Sequence, residues 1–208
     1  TILSVALAYL LGSIPTSVWA GRIFHGLDVR EHGSGNAGAT NVIRVLGWKT
    51  GVPVLLIDVA KGWFAASLPL FFKVAPEGSA MLTNLQIVAG VASITGHVYP
   101  VFAQFRGGKG VSTVFGTLLA VHPLLTLSSI GVFLAVFIIT GIVSVASMTA
   151  GIAFPVMLFT LFDTPSLIFK IFSVLVAVGL VYTHRKNIGR LIRGEEKKLF
   201  RKKSEQNQ

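Results

Sequence analysis

The chain has 208 residues, 52% of them hydrophobic and 12% charged, and 18 Lys and Arg against 8 Asp and Glu give a net charge of +10. A water-soluble domain carries about 25% charged residues, so this chain has too few to cover an aqueous surface, and its mean hydropathy of +0.74 makes lipid the solvent for most of it. There is no cysteine, which excludes disulfides, zinc–thiolate sites and a Cys nucleophile.

Apolar stretches near 20 residues recur along the chain, roughly the length that crosses a bilayer. Their spacing predicts an all-α integral membrane protein of seven helices: Ile2–Ala20, Gly51–Phe72, Met81–Val101, Val111–Val121, Leu124–Thr140, Ser144–Phe162 and Ser166–Thr183. The first lacks a basic n-region and further spans follow it, so it reads as a true span rather than a signal peptide. The fourth is short. Its eleven residues rise only about 16 Å against a ~30 Å hydrocarbon core, so it must be extended, tilted or buried in protein as a half-span. One compact helical domain over 1–183 is expected, followed by a basic tail over 184–208 that includes the last polar motif.

With the N-terminus outside and seven crossings, one side collects three basic groups. These are Arg22, Arg30, Arg44 and Lys49, then Arg106 and Lys109, then the nine tail cations from Arg185 to Lys203, together 15 of the 18. The positive-inside rule makes that side, and the C-terminus with it, cytoplasmic. The tail suits anionic lipid head groups. It offers neither a folded reader nor an aromatic platform, so no nucleic-acid partner is expected.

Three polar segments fall on this same side. The first, Gly33 to Asn41 followed by Arg44, reads as an anion loop. Its glycines let backbone N–H groups turn onto a phosphate, and the helix start that follows adds unsatisfied donors. Ser34, Asn36, Thr40 and Asn41 add side-chain donors, and Arg44 suits a bidentate contact. The Gly33-x-Gly35-x-x-Gly38 spacing matches a dinucleotide fingerprint only formally, because no βαβ unit surrounds it. A flexible polar turn between helices is the plainer alternative.

The second segment runs from His97 through Pro100 to Arg106, Gly107, Gly108, Lys109 and Gly110. It repeats the glycine-and-cation design at the head of a helix without Walker spacing, and a positive-inside anchor is its plainer reading. His97 is either a packed interfacial residue or part of the same site. Upstream, Asp58 and Lys61 share one face of the second span, where ionisable groups are costly. The pair either neutralises itself or lets Lys61 hold an anion. In the third segment His184, Asn187 and Arg190 recur at i, i+3 and i+6, one polar stripe on a helical continuation, or simply a solvated basic face. Three donor-rich segments at one surface favour a site for one or more phosphates beside lipid. A transporter of a phosphorylated solute would place its site near the midplane between internal repeats, and no repeat is visible.

Together these motifs resemble the bacterial acyl-phosphate:glycerol-3-phosphate acyltransferase family along nearly the whole chain. The matching residues are Ser34-Gly35-Asn36-x-Gly38-Ala39-Thr40-Asn41 with Arg44 and Gly47, then Asp58-x-x-Lys61-Gly62. Gly96-His97, Pro100, Phe102 and Gly107-Gly108-Lys109-Gly110 follow, then His184-Arg185-x-Asn187-Ile188-x-Arg190-Leu191 with Gly194 and Glu196. Arg106 stands where lysine is common and Ser112 where alanine is common.

The resemblance implies transfer of a fatty acyl group from acyl-phosphate to the 1-hydroxyl of glycerol-3-phosphate. The products would be lysophosphatidic acid and phosphate, in the first step of phospholipid synthesis at the bacterial cytoplasmic membrane. It implies catalytic roles for Ser34, Lys109, His184 and Asn187. Substrate or phosphate binding extends over Ser34, Gly35, Asn36, Gly38, Ala39, Thr40, Asn41, Arg44, Lys61, His97, Gly107, Gly108, Lys109, His184 and Asn187. Beyond the two substrates and membrane lipids no partner is implied, no protein partner is obligate, and neither cofactor nor metal is expected. No GxSxG elbow is present. Acid–base work falls to His184 or His97, or the substrate's own phosphate takes the proton.

Overall fold

In a computed structural model that describes residues 2–162, 164, 166–196 and 198–199, the chain is built from helices, with no strand among the described residues. Of the expected basic tail, Lys197, Arg201, Lys202 and Lys203 lie outside the described residues. The helices are α1 (Ile2–Gly12), α2 (Thr16–His25), α3 (Ala39–Leu46), α4 (Trp48–Phe71), α5 (Ala80–Val98), α6 (Val111–Val121), α7 (Pro123–Thr140), α8 (Val143–Thr160), α9 (Leu167–Thr183) and α10 (Arg185–Ile192).

Among the described residues, five stretches are long and apolar enough to cross a membrane: Ile2–His25, Trp48–Phe71, Ala80–Ala103, Pro123–Thr140 and Val143–Thr160. The α9–α10 pair makes a sixth if two helices bent by 54° count as one span. The first span differs from the continuous helix expected over Ile2–Ala20. It runs to His25 and is broken at Ser13–Pro15, because proline offers no N–H to the ladder and pushes the residue before it out of helical conformation. The helical continuation expected after α9 is present as α10, but the chain turns at His184 instead of running straight.

Burial is arranged for lipid. Ile138 and Ile139 are 80% and 83% exposed, whereas Ser13, Ser93, Thr113, Thr117 and Ser173 are 0% exposed. Small residues let the inner helices meet at backbone distance, the packing that holds helices together where water supplies no hydrophobic drive. A Cβ on Gly62 of α4 would run into the Thr113 backbone of α6, and one on Gly116 into the Val59 carbonyl. The short α6 is thus held in protein against α4 and α5. A larger apolar cluster of Ile87, Leu118, Leu125, Phe154, Leu158, Phe169 and Phe172 ties α5 and α6 to α7, α8 and α9. The chain beyond α10 returns to this body: Leu199 N–H donates to Gly141 O at 2.9 Å.

Candidate functional site

The first polar loop is shaped from within. Asn41, on α3 and 1% exposed, donates its amide to Val29 O (2.8 Å) and His32 O (3.0 Å). Its Oδ1 accepts from the Ser34 N–H (2.8 Å) and the Ser34 hydroxyl (3.1 Å). A buried amide with every partner supplied fixes a loop; here it staples the turn whose Gly33 and Gly35 have φ of 63° and 70°. Asn41 therefore uses its donors on the loop itself. Ser34 and Arg44 are exposed, Arg44 leaving the last turn of α3. Asn36 and Thr40 are half-buried, and no side chain caps the start of α3 after Gly38.

Arg30 joins this loop to the second. Its guanidinium donates to Ala103 O (3.0 Å) and Arg106 O (3.2 Å) and pairs with Asp28 at 2.7 Å. The Arg30 hydrogen bonds hold the Asp28 carboxyl well below the usual carboxylate range, outweighing its burial, with Arg22 adding a further contact.

In the second segment the glycines permit close approach. The Gly107 and Gly108 N–H groups donate to Val98 O and His97 O, both at 3.2 Å, so they cap the end of α5 rather than face a ligand. A Cβ on Gly107 would collide with His97 O, and one on Gly108 with the His97 ring Nε2 and with Ala37 O. Lys109 follows, half-buried, and its ammonium donates to Asn187 Oδ1 of α10. Burial pushes the Lys109 pKa down to about 8, with Arg190 acting in the same direction and the Glu196 carboxylate against it.

The third segment supplies the rest of that network. Asn187 Nδ2 donates to Glu196 Oε1 (2.5 Å), Ser144 Oγ to the same oxygen (2.8 Å), and Arg190 Nε to Oε2 (2.6 Å). Burial raises the Glu196 pKa, but the donors from Asn187, Arg190 and Ser144 lower it further, so the carboxylate stays ionised. His184 stands at the bend, 4% exposed, and its Nδ1–H donates to Leu180 O at 2.8 Å. A carbonyl can only accept, so the neutral ring keeps its lone pair on Nε2.

Asp58 and Lys61 are 1% and 5% exposed and form an ion pair of 2.8 Å. Lys61 also donates to Ile14 O at 2.9 Å. The pair lines a small cavity with Thr16, Ser17, Ala37, His97, Gly107 and Gly108. His97 Nδ1 lies 3.1 Å from Thr113 Oγ1 and 3.7 Å from Asp58 Oδ1.

The expected residues thus fall into two groups. Lys109, Asn187 and His184 gather where the second and third segments meet, and Lys61, His97, Gly107 and Gly108 surround the cavity. Ser34 remains on the first loop, and Arg44 on the last turn of α3. Sequence reasoning gave no site role to Ser144 or Arg30, quoted Glu196 only as part of the third motif, and read Asp58 only as the neutralising partner of Lys61. Glu196 follows Gly194, whose φ of 71° reverses the chain, so helical spacing carried no sign that it would return to Asn187.

Comparisons with known proteins bear on this arrangement. The sequence model of a family described as glycerol-3-phosphate acyltransferase matches residues 2–194. A glycerol-3-phosphate acyltransferase of Chlorobaculum tepidum is 45% identical, and one of Chlorobaculum parvum 44%, each over 94% of both chains. Among solved structures, the chain is similar to PlsY (YgiH), an integral membrane glycerol 3-phosphate acyltransferase. In its glycerol 3-phosphate form that structure has a TM-score of 0.82 at 40% identity, covering 95% of this chain and 94% of that one. Its lysophosphatidic acid form has a TM-score of 0.79 at 38% identity over the same shares.

Proposed function

The chain belongs to the glycerol-3-phosphate acyltransferase family, and we propose that its acyl donor is an acyl-phosphate and its acceptor the 1-hydroxyl of glycerol-3-phosphate. An acyl-phosphate is a mixed anhydride with an activated carbonyl and a good leaving group. The enzyme's task is then mainly to position two anionic head groups and stabilise charge. The ester C–O bond forms as the carbonyl–phosphate C–O bond breaks. The hydroxyl proton leaves with the departing phosphate, so atoms and charge balance without an enzyme-bound intermediate. Lysophosphatidic acid and inorganic phosphate result.

Ser34, Arg44 and Lys109 bind substrate phosphate. The Gly35–Ala39 backbone, with Asn36 and Thr40, cradles the other phosphate or the carbonyl oxyanion. Asn187 and His184 orient the glycerol, and the Nε2 lone pair of His184 offers a second route for the hydroxyl proton. The observation that carries this reading is the half-buried Lys109 ammonium held on Asn187 with the Glu196 carboxylate behind it. That arrangement aims one cation of the second motif at the third. The basic side of the protein faces the cytoplasm of a bacterium, with the N-terminus outside. There the acyl tail stays in the bilayer while both head groups meet the polar loops.

The test is phosphate release from palmitoyl-phosphate by the purified protein in lipid, with and without glycerol-3-phosphate and without added metal. Release that depends on glycerol-3-phosphate, with lysophosphatidic acid formed, is the expected result. Lys109→Ala is expected to lower it about 100- to 1,000-fold, as for other preorganised charge contacts. Folded wild-type protein that transfers no acyl group from acyl-phosphates of several chain lengths would refute the donor.

A further inference from the structure

We propose that the buried Asp58–Lys61 pair is a positioning clamp. It holds the break in the first span and, through Ser17, sets the first motif against the glycine turn that carries Lys109. The role rests on the phosphate-site reading above, but the pair does not itself touch phosphate.

The break is the reason a clamp is needed. Pro15 interrupts the ladder, and Val18 N–H bonds Pro15 O at 3.0 Å instead of Ile14 O. The Ile14 carbonyl thus leaves regular helical pairing at a depth where water is scarce. It keeps a short-range bond from the Thr16 N–H at 3.0 Å, with its second lone pair open. Lys61 reaches across from α4 and donates to it at 2.9 Å. One helical turn away, Asp58 Oδ1 accepts from the Thr16 hydroxyl at 2.9 Å. Opposite charges of one helix therefore grip both sides of Pro15, and each neutralises the other at 2.8 Å. A phosphate brought to Lys61 would meet the Asp58 carboxylate, so neutralisation leaves the lysine as an anchor rather than an anion ligand.

The grip is transmitted along two short routes. In the first, Ser17 Oγ donates to Ala37 O of the first motif at 3.0 Å. That carbonyl lies 2.7 Å from where a Gly108 Cβ would stand. In the second, His97 stands 3.7 Å from Asp58 Oδ1 and turns its Nε2 against Gly108. Both routes end at the residue before Lys109. A displaced clamp therefore shifts the first motif and the Lys109 turn relative to each other.

The experiment compares Asp58→Asn, Lys61→Met, the double variant and Ser17→Ala in lipid. It measures KM and kcat for acyl transfer, calorimetric binding of glycerol-3-phosphate, and the melting temperature. Each single variant of the pair leaves one buried charge uncompensated and is expected to raise KM for glycerol-3-phosphate at least ~10-fold. The double variant, with no buried charge left but no donor for Ile14 O, is expected to regain melting temperature while its KM stays raised about as in Lys61→Met. Ser17→Ala is expected to raise KM about threefold, and Ser17→Thr to restore it.

A purely structural pair would lower the melting temperature and the active fraction but leave KM of the folded protein unchanged, and that overturns the clamp. A double variant that restores the wild-type KM also overturns it, because the grip on Ile14 O would then be dispensable, and so does an Asp58→Asn variant of lowered KM, in which Lys61 would be holding phosphate itself. If the pair variants do not fold, an unchanged KM in Ser17→Ala does so instead. Wild-type protein that binds glycerol-3-phosphate without transferring an acyl group refutes the donor reading alone, and the binding constants of the same variants then judge the clamp. Wild-type protein that neither binds nor transfers overturns both.

Discussion

The two glycine-rich turns, Gly33–Gly38 and Gly107–Gly110, look alike as sequence and are built on different physics. In the first, glycine supplies left-handed backbone at Gly33 and Gly35, and a buried side chain, Asn41, holds the resulting shape. In the second, Gly107 and Gly108 are needed because two backbones and the His97 ring come too close for any Cβ. The first turn is fixed by hydrogen bonds and leaves Ser34 exposed. The second is fixed by packing and delivers Lys109, half-buried, to a partner on α10. A glycine thus signals an unusual dihedral, as at Gly35, an unusual proximity, as at Gly108, or both, as at Gly33, whose Cβ would also run into Asn41 Oδ1, and only the neighbours distinguish them.

The contrast is tested most severely at Gly108. Gly108→Ala forces a methyl into His97 and Ala37 O, and overpacking of this kind costs roughly 3 kcal/mol at the upper end. Acyl transfer is expected to fall by about 100-fold, with a lowered melting temperature. Asn41→Ala strips partners from Val29 O, His32 O and the Ser34 N–H, and an unsatisfied buried group costs about 1–3 kcal/mol. Its expected signature is a loss of about 2 kcal/mol in stability and a higher KM for glycerol-3-phosphate, read by denaturation and steady-state kinetics. An unchanged KM in that variant would mean that the first turn keeps its shape without the staple.

The second turn makes a pH prediction. Burial holds Lys109 at about 8 in the free protein, so the ammonium is fully present below that pH and is lost as pH rises through it. Since kcat/KM follows the free enzyme, it is expected to decline above pH ~8, by up to about tenfold per unit. Lys109→Arg, still charged there, is expected to flatten that decline. The smallest effect is assigned to Gly35→Ala. A Cβ there meets only Arg30 O at 3.3 Å, so the cost is the left-handed dihedral, about 1 kcal/mol. Activity should survive with a slightly lower melting temperature. A collapse of activity in Gly35→Ala would place the two turns in the same class.

How much was legible beforehand depended on the range of the signal. The helix α6 falls at Val111–Val121 as the apolar run predicts, and the family is readable from three ordered motifs, because hydrophobic length and glycine–cation patterns are local properties of the chain. The break at Pro15 was also written locally, yet the apolar run around it concealed it. Asp58 and Lys61 could be read as a pair from their i, i+3 spacing. Their hold on Ile14 and Thr16 could not, since those contacts span more than 40 residues and follow no period.

The sequence by itself determined that the chain is helical, that its solvent is lipid, and that it carries the motifs of a glycerol-3-phosphate acyltransferase. Composition, run length and motif order are enough for each of these. Tertiary structure alone decided that Asn41 is a staple, that the Gly107 and Gly108 amides cap α5, and that Glu196 stands behind Asn187 and Lys109. Each of those depends on which donor meets which acceptor once the helices have packed.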